Sequence, residues 1–298
     1  MDLKAILKEL NIQAKYIGKM EFDTLGVSKE TGIKNFCTFI DEERFIEKYS
    51  KNVSLILTNA ELCDKINFNN KCIVKEPRLT FFKIHNYLAN KDNYSYQRRK
   101  EKTKIGVGSN ISKLSEISDV NVIIGENVTI ESFVSIKENV IIEDGAVIRS
   151  GSVIGGEGFE VKRESDRTFV VKHVGGVVIG KNVEIQQNTA IDKALYPWDD
   201  TVIEEHTVID NLVHVGHGAK IGKCCMIVAN TGIGGRVVIK DNCWVGFSST
   251  IKQLLEIGEG ASINMGAVVS KNVEKGASVT GNLAIDHDKF IKHLKTMR

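Results

Sequence analysis

From Ile203 onward the chain sets an aliphatic residue at every sixth position: Ile203, Ile209, Val215, Ile221, Ile227, Ile233, Ile239, Val245, Ile251, Ile257, Ile263 and Val269. The fourth residue after each is usually small or apolar, as at Val213, Ala219, Cys225, Thr231, Cys243 and Ala261. An earlier block, Ile124, Ile130, Ile136, Ile142, Ile148 and Ile154, has the same spacing, and Ile179, Ile185 and Ile191 run in phase with the later block. A period of six is neither the 3.6 of an amphipathic helix nor the two of a simple strand. It predicts short strands separated by turns, three to a triangular coil of eighteen residues, with the branched residue pointing inward. Coils of this kind stack at about the spacing of neighbouring strands, roughly 4.8 Å, and each buries the next. The fold class is therefore mainly β, a hexapeptide parallel β-helix.

The pattern also breaks in telling places. Between Ile154 and Ile179 the 24 residues GGEGFEVKRESDRTFVVKHVGGVV are too polar to continue a coil, which predicts an excursion loop near 155–178. Residues 1–100 show no hexad and read as a small α/β domain. FCTFIDEERFIEKYSKNVSLILTN suggests strand, helix, strand, and EPRLTFFKIHNYLAN a helix opening near Pro77 with Leu79, Phe81, Phe82, Ile84 and Leu88 on its apolar side. The polar stretch NKDNYSYQRRKEKTK (90–104) reads as a solvated linker. The solenoid then occupies 101–284. A short C-terminal helix in 285–298 carries Phe290, Ile291 and Leu294 on one face, expected to cover the open end of the strand stack.

Composition narrows the function classes. With 40 basic and 38 acidic residues the net charge is +2, which gives no argument for nucleic acid or an acidic membrane as the main partner. No apolar run approaches the roughly 18 residues of a membrane span, and the charged N-terminus does not read as a secretory signal. Six cysteines without CxxC spacing read as reduced thiols of a cytoplasmic protein, with Cys225 and Cys243, eighteen apart, stacked inside adjacent coils.

The stretch NLVHVGHGAKIG (211–222) carries two histidines. With Val215 inward, Gly216 opens a turn and His217 follows it, pointing outward, while His214 points outward at a different lateral position. Hexapeptide solenoids commonly serve acyl transfer or the zinc site of γ-class carbonic anhydrases. A zinc site needs a third ligand at compatible spacing, and His206 lies on another side of the coil, so no metal is expected. Eighteen residues beyond His217, in the same outward column, stands Gly235. A base beside a backbone N–H able to receive an oxyanion is the minimum equipment for attack of an amine or hydroxyl on a thioester.

The segments VIGGEGFEV, GGVVIGKNVEIQQNTAID, DDTVIEEHTVIDNLVHVGHGAKIG and VTGNLAID resemble the UDP-3-O-acylglucosamine N-acyltransferase family of lipid A biosynthesis. EPRLTFFKI and NFCTFIDEERF resemble its N-terminal nucleotide-binding domain. The resemblance implies a left-handed β-helix and a homotrimer with sites between subunits. Its activity is transfer of an acyl group from a carrier thioester to the amine of a nucleotide-linked amino sugar, with no tightly bound cofactor. It places the catalytic histidine on His217, the oxyanion glycine on Gly235 and, as a candidate to orient the base, Asp210. His214 and Asn211 fall on the acceptor side. In the N-terminal domain the family's base-stacking aromatics and its asparagine match Phe39, Phe45 and Glu42.

The departures are specific. The family's second histidine matches Leu254, beside Gln253. Glu42 has no amide hydrogen to donate to a base. IDKALYPWDDTVI is two residues longer than the family pattern. The sequence ends soon after KFIKHLKTMR, so the family's further helix, which helps to receive the acyl carrier protein, is expected to be missing. These features favour a CoA thioester, acetyl-CoA above longer donors or acyl carrier protein, and a base other than uracil, such as thymine. Gln253, Leu254 and Phe247 are the candidates to line a donor groove, although Phe247 and Trp244 equally suit a subunit interface. The alternatives from other classes are a zinc-dependent carbonic-anhydrase-like solenoid and a homologue without turnover.

Overall fold

The computed structural model describes residues 1–30, 32–91, 94, 101–281, 284 and 286–296. The chain divides into two units. One gathers Met1–Glu101, Glu157–Gly175 and Ala194–Asp200; the other gathers Lys102–Gly156, Gly176–Lys193 and Thr201–Arg298.

The second unit is the left-handed parallel β-helix. Strands of two to four residues repeat three to a coil and pair only with the coils before and after, giving three parallel sheets of nine, eight and eight strands. Inward residues meet their own kind in register: Ile191 faces Val215, Val215 faces Ile233, and Ile233 faces Ile251. Every hexad residue from Ile124 to Val269 is buried, and together they form one continuous core. Cys225 and Cys243 lie in that core, each with its sulfur against a carbonyl of the next coil.

The corners explain the period. The third residue after the inward aliphatic turns the chain with a positive φ, near +55° at Asn127, Asn182 and Asn188 and +59° at Asn242. Asparagine and glycine hold most of these positions because they enter the left-handed region at least cost. The chain thus spends two residues on a strand and the rest on a corner, and returns an aliphatic side chain to the interior every sixth position.

The first unit centres on a five-stranded sheet in the order β1-β5-β4-β3-β2, with β1 at Lys15–Ile17, β2 at Thr24–Leu25, β3 at Phe36–Ile40, β4 at Val53–Thr58 and β5 at Lys71–Ile73. Helices α1 (Leu3–Glu9), α2 (Ala60–Cys63) and α3 (Pro77–Ala89) accompany it. Pro77 opens α3, and Phe81, Ile84 and Leu88 are buried along one side. Between β3 and β4 the expected helix is only a 3-10 turn, Glu43–Phe45.

The excursion from the solenoid is not a bare loop. Val161–Arg163 and Thr168–Val170 pair as an antiparallel hairpin. Val171, Leu195 and Tyr196 are buried in the same core as Phe81 and Leu88, and Trp198 Nε1 donates to Leu25 O at 2.9 Å. The extra residues of IDKALYPWDDTVI therefore belong with the first unit's core. His85 of α3 joins this core too. Its Nε2 bonds Lys172 O at 2.8 Å and its Nδ1 pairs with the Tyr94 hydroxyl at 3.1 Å.

One expectation changes. Helix α4 (His287–Thr296) forms but buries nothing: Phe290 and Leu294 remain 45% and 37% exposed, so its apolar side covers no strand ends in this chain. Arg98, Arg99 and Lys100 of the basic linker lie outside the described residues.

Candidate active site

His217 is the second residue of the corner that follows Val215, and Gly235 and Gln253 hold the same place in the next two coils. A methyl group on Gly235 would lie 2.7 Å from His217 Nε2 and about as close to two further ring atoms. The imidazole therefore rests directly on the Gly235 Cα, and only glycine leaves it that space. Gly216 is required for a related reason, since a Cβ there would come within 2.7 Å of Gly235 N.

At some corners the N–H of this second residue is capped by a side chain of a neighbouring coil. Glu126 N donates to Asp144, Ser150 N to Glu131, Gln187 N to Asn211 and Lys223 N to Asp241. Gly235 N has no such cap among the described residues. An uncapped backbone donor beside an imidazole can receive a negatively charged oxygen.

The third residue of this corner is Gly218, Arg236 and Leu254 in successive coils, all with positive φ. Arg236 N donates to His217 O at 2.9 Å and Leu254 N to Gly235 O at 3.1 Å. Arg236 at +57° and Leu254 at +64° carry bulky side chains in a conformation that favours glycine. Arg236 was not marked by the sequence reading; its one signal is that it interrupts a column otherwise held mostly by asparagine and glycine. Leu254, 67% exposed, and Gln253 thus share the His217 corner, whereas Phe247 does not.

Phe247 stands on the corner that also holds Asp210 and Asn211. There Asp210 is engaged in turn formation: Oδ1 accepts from Asn211 N and Nδ2 at 2.7 and 2.8 Å, and Oδ2 from Ala229 N at 3.1 Å. Asn211 in turn caps Gln187 N. The structure does not bring Asp210 or Asn211 to the His217 corner; the hexad displaces them by one side of the coil.

The carboxylate that does meet a histidine is Asp192, which the sequence reading missed. Its Oδ2 is 3.0 Å from His214 Nε2, and the bond raises the His214 pKa above its ordinary value. Asp192 directly follows the inward Ile191, and the residues 194–200 inserted after it hide the coil relation to His214. Thr201 links the surroundings, donating to Asp192 O at 2.6 Å and accepting from Gly218 N at 2.8 Å. Among the described residues no three His, Cys, Asp or Glu side chains gather as a metal site.

The remaining candidates belong to the first unit. Phe39 packs against Phe81 and Phe82 with centroids 5.1 and 6.2 Å away, and the Arg78 guanidinium lies 5.4 Å from its ring centre. Glu42 is ion-paired to Arg44 at 2.8 Å and to Arg78 at 3.2 Å. Arg44 also lies over the Phe45 ring at 4.8 Å.

The family model described as bacterial transferase hexapeptide (six repeats) matches residues 121–156 and 200–235, the second of which holds His214, His217 and Gly235. Over those two segments the chain is similar to the hexapeptide-repeat transferases. UDP-3-O-acylglucosamine N-acyltransferase 2 of Legionella pneumophila subsp. pneumophila is 49% identical over 146 residues, 48% of this chain and 42% of that protein. UDP-3-O-acylglucosamine N-acyltransferase of Saccharophagus degradans is 47% identical over 68 residues, 23% of this chain and 19% of that protein. The matches thus span less than half the length of these relatives. Among solved structures, a UDP-N-acetylglucosamine acyltransferase from Campylobacter jejuni aligns over 65% of this chain and 83% of its own at 20% identity and a TM-score of 0.45. No helix of the described residues is long and apolar enough to cross a membrane.

Proposed function

We propose that this hexapeptide-repeat protein is an N-acyltransferase that moves an acyl group from a thioester to the amine of a nucleotide-linked amino sugar. The observation that carries the reading is the seat of the His217 imidazole on Gly235, whose N–H is uncapped. In this reading the sugar amine attacks the thioester carbonyl while His217 accepts its proton. The carbonyl electrons move onto oxygen, where the Gly235 N–H stabilises the charge. Collapse of that intermediate forms the amide and breaks the C–S bond, and the imidazolium returns the proton to the departing thiolate. Histidine suits both steps because its proton exchanges near neutral pH.

The names of the relatives support a UDP-linked acceptor. The Phe39 ring provides a stacking surface in the first unit, and the ionised, Arg-paired Glu42 presents acceptor oxygens where an amide would also donate. That change supports dTDP sugars as competing acceptors. On the donor side, Gln253 and Leu254 extend from the His217 corner. Phe247 would join them from a neighbouring subunit of a trimer. The donor is a CoA thioester, acetyl-CoA first, or acyl carrier protein, and the acceptor's place is the cytoplasmic assembly of a cell-surface lipid or polysaccharide.

A thiol-release screen tests the reading, crossing acetyl-CoA, longer acyl-CoAs and acyl carrier protein with UDP- and dTDP-amino sugars. At least one pair is expected to release thiol, and His217→Ala to slow that pair by about 10²–10⁴-fold. Release unchanged in His217→Ala, or stoichiometric zinc held by His214 or His217 in the purified protein, overturns the assignment.

A further inference from the structure

Resting on the acyl-transfer reading, we infer that Asp192 and His214 form a second working pair of this site, in which His214 binds a hydroxyl of the acceptor sugar and Asp192 positions it.

His214 stands outward on its strand, one residue before the inward Val215, and its side chain is 55% exposed. Asp192, by contrast, has a side chain only 10% exposed. Withdrawing a carboxylate from water is costly unless a partner compensates it, and the ring Nε2 at 3.0 Å is that partner. Other ion pairs among the described residues of the solenoid keep both side chains at least 31% exposed, as Lys223 and Glu205 do at 50% and 38%. Asp192–His214 is thus a buried anchor under an exposed ring.

The bond settles the chemistry of the ring. Nε2 carries a hydrogen and donates it to Asp192, so in the neutral ring Nδ1 holds a lone pair. Nδ1 has no partner among the described residues. It is an acceptor fixed in direction, suited to a hydroxyl, and becomes a donor on protonation. The Asp192 bond also raises the His214 pKa above its ordinary value, because the carboxylate favours the protonated ring.

The surroundings are cleared for a ligand. The strand neighbours of His214 are Ala190 in one coil and Gly232 in the next. Three residues on, His217 is likewise seated on a glycine, Gly235. The segment Gly232-Ile233-Gly234-Gly235 therefore offers nearly bare backbone beside both imidazoles, with Ile233 turned into the core. A sugar ring has room to lie on that floor, its amine toward His217 and a hydroxyl on His214. Two histidines with different partners then divide the work, one for the proton and one for orientation.

The test is spectroscopic first. The full chain, labelled at histidine, is titrated with UDP-glucosamine and the ring resonances are followed by NMR. His214 and His217 are both expected to shift saturably. His214→Ala is expected to weaken UDP-glucosamine binding about tenfold, the loss of one well-directed hydrogen bond. His214→Asn, whose amide oxygen can occupy the place of Nδ1, should recover most of it, and Asp192→Asn should weaken binding several-fold. If turnover is followed, the acceptor KM rises while kcat holds. A His217 resonance that moves while His214 stays fixed overturns the pair and leaves the acyl-transfer reading intact. If neither moves, the UDP-sugar reading falls with it. Should any variant misfold, the titration of the unaltered chain alone decides.

Discussion

A methyl group placed on Gly235 would have to share space with an imidazole, since its carbon falls 2.7 Å from His217 Nε2. The contact is far inside van der Waals distance, so the ring must leave its seat. The Gly235 N–H itself survives the substitution. Gly235→Ala thus separates the position of the base from the presence of the oxyanion donor. Misplacement of a reacting group by about 1 Å can cost about a hundredfold. Gly235→Ala is expected to lower kcat by about that factor in the thiol-release assay, with a thermal midpoint close to that of the parent. A kcat within threefold of the parent would show that the ring does not work from this seat. The same corner bears on Leu254, which stands where the resembling family has a histidine. Leu254 is 67% exposed and offers no proton chemistry, but Asp192–His214 supplies a second held imidazole from the adjacent sheet face. That imidazole is not visible from Leu254 alone.

At the scale of elements, the corner and the inward position obey different physics and should respond differently to mutation. Asn242 turns its corner at φ +59°. Alanine there forces a Cβ into the left-handed region at about 1 kcal/mol, whereas glycine enters freely. In urea unfolding, Asn242→Ala is expected to lose about 1 kcal/mol and Asn242→Gly only a few tenths; equal losses would contradict the corner argument. Ile227, inward and 2% exposed, contacts the coils on both sides. Ile227→Ala is expected to cost about 2–5 kcal/mol, the range for emptying a close-packed aliphatic site. These two rules account for how much of the fold the sequence disclosed. A repeated inward Ile or Val reports the coil, the sheets and the register at once, because each coil must match the next. His217 and Gly235 followed from the same arithmetic, being eighteen residues apart. Asp192 did not, because the insertion 194–200 breaks the count between it and His214. The corner of Asp210 was hidden for a related reason. Seven residues looks close along the chain, but in a hexad it carries a side chain to another side of the triangle.

At the scale of the whole molecule, the buried histidine of the first unit gives that unit a distinct response to acid. His85 is fully buried, with its Nε2–H donated to Lys172 O and its Nδ1 accepting from Tyr94, which requires the neutral ring. Burial pushes its pKa down to about 4, from an ordinary 6.5. Above pH 6.5 neither the folded nor the unfolded state carries the proton, and the buried ring costs nothing. Below it the unfolded chain binds a proton that the folded chain refuses, so stability falls as pH falls and the loss is complete near pH 4. A gap of this size corresponds to about 3 kcal/mol. Trp198, stacked on Tyr196 in the same unit, is a natural reporter, and Trp244→Phe removes the signal of the solenoid's tryptophan. In that background the urea midpoint of Trp198 fluorescence is expected to fall steadily from pH 6.5 to 4. His85→Gln keeps an amide to donate and an oxygen to accept but cannot titrate. Its curve should be flatter over the same interval, with the two curves closest at the acid end. Parallel curves would mean that the acid sensitivity of the first unit comes from its carboxylates and not from the ring that joins α3 to the excursion.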